Sequence, residues 1–211
     1  DDADTRRGLA SINAVWKNKI AVLMGDYMLA KGLLLSLDNN DFQFLKITSD
    51  AVRRMSEAEI LQIAKSKDLD IDDGTYLKII SDKTASLLST CTQIGAASVS
   101  TDKELLSRMK VFGENLGMVF QIRDDLLDYI GRKSITGKPT GLDMKEKKLT
   151  LPLIYSFTQA PRSESKDVLK IIKNGAKTKE LLSVIEFAHT FGGIDYTTKK
   201  AQQFSALALQ A

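Results

Sequence analysis

Residues 117–128, GMVFQIRDDLLD, begin as an apolar helix and end in the carboxylates Asp124, Asp125 and Asp128. Asp124 and Asp128 are four positions apart and Asp125 and Asp128 three, a spacing that places all of them on one side of a helix. Gln121 falls on the same side, as does Gly117, which is expected to leave a gap above the carboxylates. Like charges at helical spacing repel, and the one interleaved base, Arg123, points elsewhere. Such a cluster at the end of a hydrophobic helix calls for cations. With one histidine and one cysteine in 211 residues, the ligands must be oxygens, which suits Mg²⁺ carrying a phosphate-bearing substrate. A solvated acidic helix end would show the same spacing, so spacing alone leaves both readings open.

The rest of the chain reads as helices. Ser11 can cap a helix from about Asn13 to Leu37, whose apolar residues surround it almost completely. A helix of that kind belongs in the middle of a bundle. Its apolar run from Ile20 to Leu37 is interrupted by Asp26 and Lys31, and it reads as a buried helix without stable membrane insertion. DNND at 38–41 is a turn, and Asp41 caps a second helix to about Lys65. After the polar connector SKDLDIDD comes a third helix, from about Asp73 to Ser98. Its small residues (Ala85, Ser86, Ser89, Gly95, Ala96, Ala97) allow close helix contacts. Thr101 and Glu104 make a capping box for the helix that ends at the carboxylates. GRKSITGKPTGLDMKEKKLT is the one long loop, and three or four helices complete the chain, with Gly192-Gly193 as a stop signal between the last two. No β-alternating run competes, so the expected fold is all-α, a single-domain helical bundle.

Composition narrows the function. A hydrophobic content of 43% is enough for a large core, and a net charge of +3 with no dense basic run gives nucleic acid no footing. The single cysteine, Cys91, excludes an internal disulfide and suits a reducing cytoplasm. No signal-peptide pattern opens the sequence. The start, DDADTRRG, reads as a loop cut in mid-motif, and the chain is expected to be a fragment.

Three further clusters carry candidate chemistry. Arg6 and Arg7 follow Asp1, Asp2 and Asp4; paired arginines suit bidentate phosphate binding, although an exposed pair is more often plain surface. Lys83-Thr84 lies in the third helix, where a lysine is usually solvated. Lys138, Lys145, Lys147 and Lys148 lie in the long loop directly after the carboxylates, and a basic loop there suits closure over a diphosphate.

In combination, FQxxDDxxD at 120–128, GKPxGxD at 137–143, KxTLPLI at 148–154, KTASLL at 83–88 and DxRRG at 4–8 strongly resemble the all-trans polyprenyl diphosphate synthases, in the same order and over nearly the whole chain. The resemblance implies the isoprenoid synthase bundle around a central apolar cavity. It implies several Mg²⁺ ions held by Asp124, Asp125 and Asp128, the second aspartate-rich motif, and by Asp1, the last aspartate of the first. Arg6 and Arg7 would contact the diphosphates of the two substrates, isopentenyl diphosphate and an allylic diphosphate. Lys83, Gln121, Lys138 and Lys148 would reach the allylic diphosphate, with Thr84 beside it; Asp124, Asp125, Lys83 and Gln121 would be the catalytic group. Ala10, Lys147 and Ala58 depart from the family pattern, Ala58 standing where glycine often precedes the glutamate of a GExxQ motif (Glu59 to Gln62). The N-terminal helices that supply further ligands in the family would precede this chain.

What the resemblance implies chemically is consistent with the residues. Loss of diphosphate leaves an allylic cation, the isopentenyl double bond attacks it, and no protein nucleophile is required, which fits a chain with no Ser-His or Cys-His pair. Gly117, Gly113 and Gly95 are candidates for the wall of an apolar tunnel. A shorter-chain synthase, a terpene cyclase and a non-catalytic partner subunit of the same fold are the alternatives. The run SINAVWKNKIAVLMGDYMLAKGL resembles bacterial synthases of quinone side chains, implying an octaprenyl-like product, and the family is typically a cytoplasmic homodimer.

Overall fold

The Ser11 hydroxyl accepts a hydrogen bond from the Ala14 amide at 3.2 Å and starts α1, Ile12–Asp38. In this computed structural model, residues 5–6, 8–69, 71–130, 141, 144, 148–175 and 178–211 are described. Ahead of α1, Thr5–Arg6 (β1) and Leu9–Ala10 (β2) pair antiparallel, Thr5 opposite Ala10 and Arg6 opposite Leu9, where the sequence suggested a loop. Gly8 turns this small hairpin at φ 79°, a conformation only glycine adopts without cost. α1 is kinked at Lys17, whose φ of 66° and ψ of 161° leave the helical region. The DNND turn forms as expected: the Asn39 amide side chain bonds the Leu35 carbonyl at 2.8 Å, and Asn40 takes a left-handed φ of 60°.

α2 (Phe42–Asp68) begins where Asp41 predicts and runs about a turn beyond Lys65. Asp72 caps α3 (Asp73–Ile80) by accepting from the Thr75 amide at 2.7 Å, and that bond holds its carboxyl below the usual range. The single helix expected from Asp73 to Ser98 is broken. Residues Ser81–Ala85 form a π turn, marked by the Ser86 amide bonding the Ser81 carbonyl five residues back, before α4 (Ser86–Ala97) resumes. α5 (Lys103–Ile130) is capped by Asp102, whose carboxylate accepts from the Glu104 amide at 2.9 Å, one residue later than the Thr101 box predicts. The helices after the loop are α6 (Leu151–Gln159), α7 (Arg162–Lys173), α8 (Thr178–Thr190) and α9 (Gly193–Gln210), the last two separated by Gly192 at φ 73°. The all-α fold class stands.

The chain divides into two compact units, residues 1–49 and 50–211. The first holds the hairpin, α1 and the start of α2. No residue of α1 is buried, contrary to the central place its all-round hydrophobicity suggested. By length and composition α1 would also pass as a membrane span, a test that core helices of soluble proteins pass too.

The second unit is built around α5, which packs on α3, the π turn, α4, α6 and α9. Ile122, Leu151, Leu153 and Ile172 are fully buried there, each stabilising the fold by about 1.5–3 kcal/mol. Close approach of α5 to the π turn and α4 depends on two glycines. A Cβ at Gly117 would sit 2.7 Å from the Ala85 Cβ, and one at Gly113 would sit 2.7 Å from the Ser89 Cα. Ser89 and Thr92 stitch the seam by donating to the Lys110 and Met109 carbonyls at 2.9 and 2.6 Å. The small residues of the third helix thus serve close contact at Ala85 and Ser89. Gly95, in contrast, is exposed, and a methyl placed on it would meet nothing within 4 Å.

Candidate active site

The π turn brings Lys83 and Thr84 to the same neighbourhood as the end of α5. A π turn inserts one extra residue per turn, so side chains before and after it face different directions. Asp82 turns inward at 8% exposure, while Lys83 and Thr84 are half-buried. The Thr84 hydroxyl donates to Gln121 Oε1 at 2.9 Å. Gln121 Nε2 donates to Asp125 Oδ1 at 2.7 Å, one helical turn on. The Tyr76 hydroxyl, from α3, donates to Asp125 Oδ2 at 2.6 Å. Asp125 is 6% exposed, and its two oxygens receive donors from its own helix and from α3. Carboxylate oxygens left without donors would be costly at such burial.

Gly117 does not open a gap above the carboxylates; Ala85 occupies that space. The three aspartates, within an arc of roughly 100° on α5, differ in exposure. Consecutive helical residues diverge by roughly 100°, and the structure shows Asp124 exposed, Asp125 buried and Asp128 half-buried. Among the described residues, no group of three or more carboxylate, histidine or cysteine side chains converges on a point where a metal ion could sit. Asp124 and Asp128, one turn apart, remain an all-oxygen pair. That fits Mg²⁺, which binds through one or two carboxylates and completes its shell with water and substrate phosphates.

Lys83 is held from α2. Its ammonium donates to Gln62 Oε1 at 2.8 Å and pairs with Glu59 Oε2 at 2.5 Å. The Glu59-to-Gln62 spacing, legible in the sequence only as a family motif, thus has a local function. Ala58 is buried at 3%, tucked in at the position where the family often has glycine. The Lys83–Glu59 pair is 39% and 51% exposed, so it orients the lysine without contributing much to stability.

Beneath this pair lies a cluster that sequence reasoning missed. Arg54 Nε donates to Asp82 Oδ1 at 2.7 Å, and its Nη2 donates to Glu114 Oε1 at 2.6 Å and to Ser81 Oγ at 3.2 Å. Ser81 Oγ donates to Glu114 at 2.9 Å, and Lys78 Nζ to Asp82 Oδ2 at 2.7 Å. Burial opposes the charge on Asp82, but the bonds from Lys78 and Arg54 outweigh it and hold the carboxyl below its usual range. For Arg54 too, burial opposes the charge, and Glu114 and Asp82 more than offset it. Arg53 and Arg54 are neighbours in the sequence but not both surface residues. Only Arg53 is one, bonding Asp50 and Glu57 along its own helix.

Gly141 and Thr150, in the long loop, are tied back to the acidic end of α5. The Gly141 amide donates to the Asp128 carbonyl at 3.1 Å, and Gly141 is buried at φ 80°. The Tyr129 and Thr150 hydroxyls share a hydrogen bond of 2.8 Å. Thr150 is two residues from half-buried Lys148, so that lysine belongs to a segment anchored beside the aspartates. Arg6 lies in β1; its side chain, together with Asp1, Arg7 and Lys138, falls outside the described residues.

Comparison with known proteins places the chain among its relatives. The family model for polyprenyl synthetase matches residues 1–187. The all-trans-nonaprenyl-diphosphate synthase (geranyl-diphosphate specific) of Rhodobacter capsulatus is 35% identical over 211 residues, covering 100% of this chain and 64% of that protein. The octaprenyl diphosphate synthase of Escherichia coli (strain K12) is 30% identical, covering 100% of this chain and 65% of its own length. Among solved structures, a decaprenyl diphosphate synthase from Rhodobacter capsulatus superposes with a TM-score of 0.90 at 31% identity, covering 98% of this chain and 64% of the other. A polyprenyl synthase from Caulobacter crescentus CB15, complexed with calcium and isoprenyl diphosphate, gives 0.87 at 31% identity, covering 98% and 63%. The chain thus spans a little under two thirds of these relatives.

Proposed function

The chain belongs to the polyprenyl synthetase family, and from that premise we propose that it forms most of an all-trans polyprenyl diphosphate synthase. It condenses isopentenyl diphosphate with an allylic diphosphate, giving a long product for a quinone side chain. The observation that carries this is the hydrogen-bonded run Thr84–Gln121–Asp125–Tyr76 beside Lys83, at the helix end that bears Asp124 and Asp128. Residues 1–211 are read as one synthase domain, acting as a cytoplasmic homodimer.

In this reading, Lys83 leaves Glu59 and Gln62 for the allylic diphosphate and offsets the charge that develops on it as the carbon–oxygen bond breaks. Thr84 and Gln121 border the resulting cation with polar oxygens, and their mutual hydrogen bond keeps those oxygens from rotating away. Lys148, with Arg6, Arg7 and Lys138, adds positive charge to the diphosphates. Asp124 and Asp128, with Asp1, hold Mg²⁺; Asp125 supports them and fixes Gln121. When bound, the metal supplies Lewis-acid charge at the leaving oxygens. The isopentenyl double bond then attacks, and the departing diphosphate takes the proton lost from the adjacent carbon.

The test is turnover of farnesyl and isopentenyl diphosphates by the full-length protein, with products separated by chromatography. An octaprenyl-like ladder supports the long-chain reading. A product that stops at the geranylgeranyl stage supports a shorter-chain synthase, cyclic hydrocarbons support a cyclase, and no turnover without a second protein supports a partner subunit.

A further inference from the structure

A π turn is an unfavourable piece of backbone that persists only where its surroundings over-determine it. The turn at Ser81–Ala85 is held from both sides. On the inner side, Ala85 fills the space that Gly117 leaves open, and the Ser86 hydroxyl donates to the Asp82 carbonyl at 2.6 Å. On the other side stands Arg54, 18% exposed, whose fork reaches Asp82 and Ser81 within the turn and Glu114 on α5. The contact joins three helical elements, with Asp82 and Glu114 lying 28 and 60 residues from Arg54 in sequence. Ser81 and Asp82 are the first residues of the turn; Lys83 and Thr84 are the next two.

Arg54, Glu59 and Gln62 all lie on α2, so the helix grips the π turn at two levels. Arg54 bonds the Asp82 and Ser81 side chains of the turn below, and Glu59 with Gln62 hold the lysine head above. We propose that Arg54 is a positioning residue for prenyl transfer: through Asp82 and Glu114 it locks the π turn in the register that presents Lys83 and Thr84 to the allylic diphosphate. The proposal rests on the prenyl-transfer reading. The three charges do not touch that site. Their effect runs through the backbone of Lys83 and Thr84, which follow Asp82, and displacing that pair loosens its hold on the allylic diphosphate.

The experiment uses full-length enzyme with farnesyl and isopentenyl diphosphates. Wild type is measured first, and a wild type that makes no prenyl product overturns the prenyl-transfer reading together with the role assigned to Arg54. With an active wild type, Arg54→Lys keeps a charge beside Asp82 and Glu114 but loses the two-pronged fork. A second variant, Arg54→Met/Asp82→Asn/Glu114→Gln, removes the charges together and so avoids a buried unpaired one. For whichever variants melt within a few degrees of wild type, KM for farnesyl diphosphate is expected to rise roughly ten-fold or more with KM for isopentenyl diphosphate unchanged. Binding of inorganic pyrophosphate with Mg²⁺, by calorimetry, should weaken in parallel. A merely structural role would lower the active fraction and leave both KM values as they were. A folded variant with wild-type KM for farnesyl diphosphate overturns the proposal, as does collapse of both variants, since that shows the cluster to be a general determinant of folding.

Discussion

The Thr84 hydroxyl and the Gln121 carbonyl oxygen are 2.9 Å apart, and this one bond decides which way the glutamine amide faces. Because Oε1 accepts from Thr84, Nε2 is turned toward Asp125, 2.7 Å away. Two residues 37 apart in the sequence thereby act as one polar surface. Thr84→Val keeps the shape and removes the donor. It is expected to cost about 1 kcal/mol of stability, read from the denaturation midpoint, and to lower kcat while circular dichroism stays unchanged. A wild-type kcat in that variant would show that Gln121 does not depend on Thr84.

Asp124 is the exposed member of its acidic group. On the proposed reading, in which Asp124 would hold Mg²⁺, Asp124→Ala should reduce turnover on the order of 100-fold or more. The stabilisation that Mg²⁺ and pyrophosphate together give to the wild type should shrink in the variant, which differential scanning calorimetry can measure independently of activity.

Two glycines should respond to the same substitution with opposite sign. Gly117→Ala places a methyl against Ala85 and is expected to destabilise by about 1–3 kcal/mol through overpacking. Gly95→Ala meets nothing within 4 Å and lies inside α4, so it should stabilise by about 0.5–1 kcal/mol. Chemical denaturation of both variants checks the pair. Equal effects would contradict the close α5 contact.

Tyr196 stacks on Tyr155 with ring centroids 4.0 Å apart and donates its hydroxyl to Asp73 Oδ2 at 2.7 Å. Burial, then the bond to Asp73, pushes its hydroxyl from the ordinary 10.0 to about 12. A folded pKa above the unfolded one gives stability that is complete below pH 10 and fades as pH rises toward about 12. The stability difference between wild type and Tyr196→Phe should therefore be largest near pH 8 and shrink across that alkaline interval. A difference that stays constant from pH 8 to about 12 would show that the phenol does not titrate with folding.

Much of this protein is local, and what is local was legible. Periodicity and capping residues determine the helices: Ser11, Asp41 and the DNND turn act within four residues of where they stand. The order of KT, DDLLD and the basic segment before LPLI is enough to mark the family and to nominate Lys83, Gln121 and Asp124. Tertiary structure decided how those residues are used. Helical spacing could not show that Asp125 turns inward to Tyr76 while Asp124 faces out, because that depends on which elements cover α5. Nor could it show the π turn at Ser81–Ala85, since every residue in SDKTA also suits an ordinary helix. That turn is maintained by Ala85 pressed on Gly117 and by Arg54 reaching Asp82 and Glu114. A pattern read along one helix holds no information about partners brought in from others, and those partners set the direction of each functional side chain.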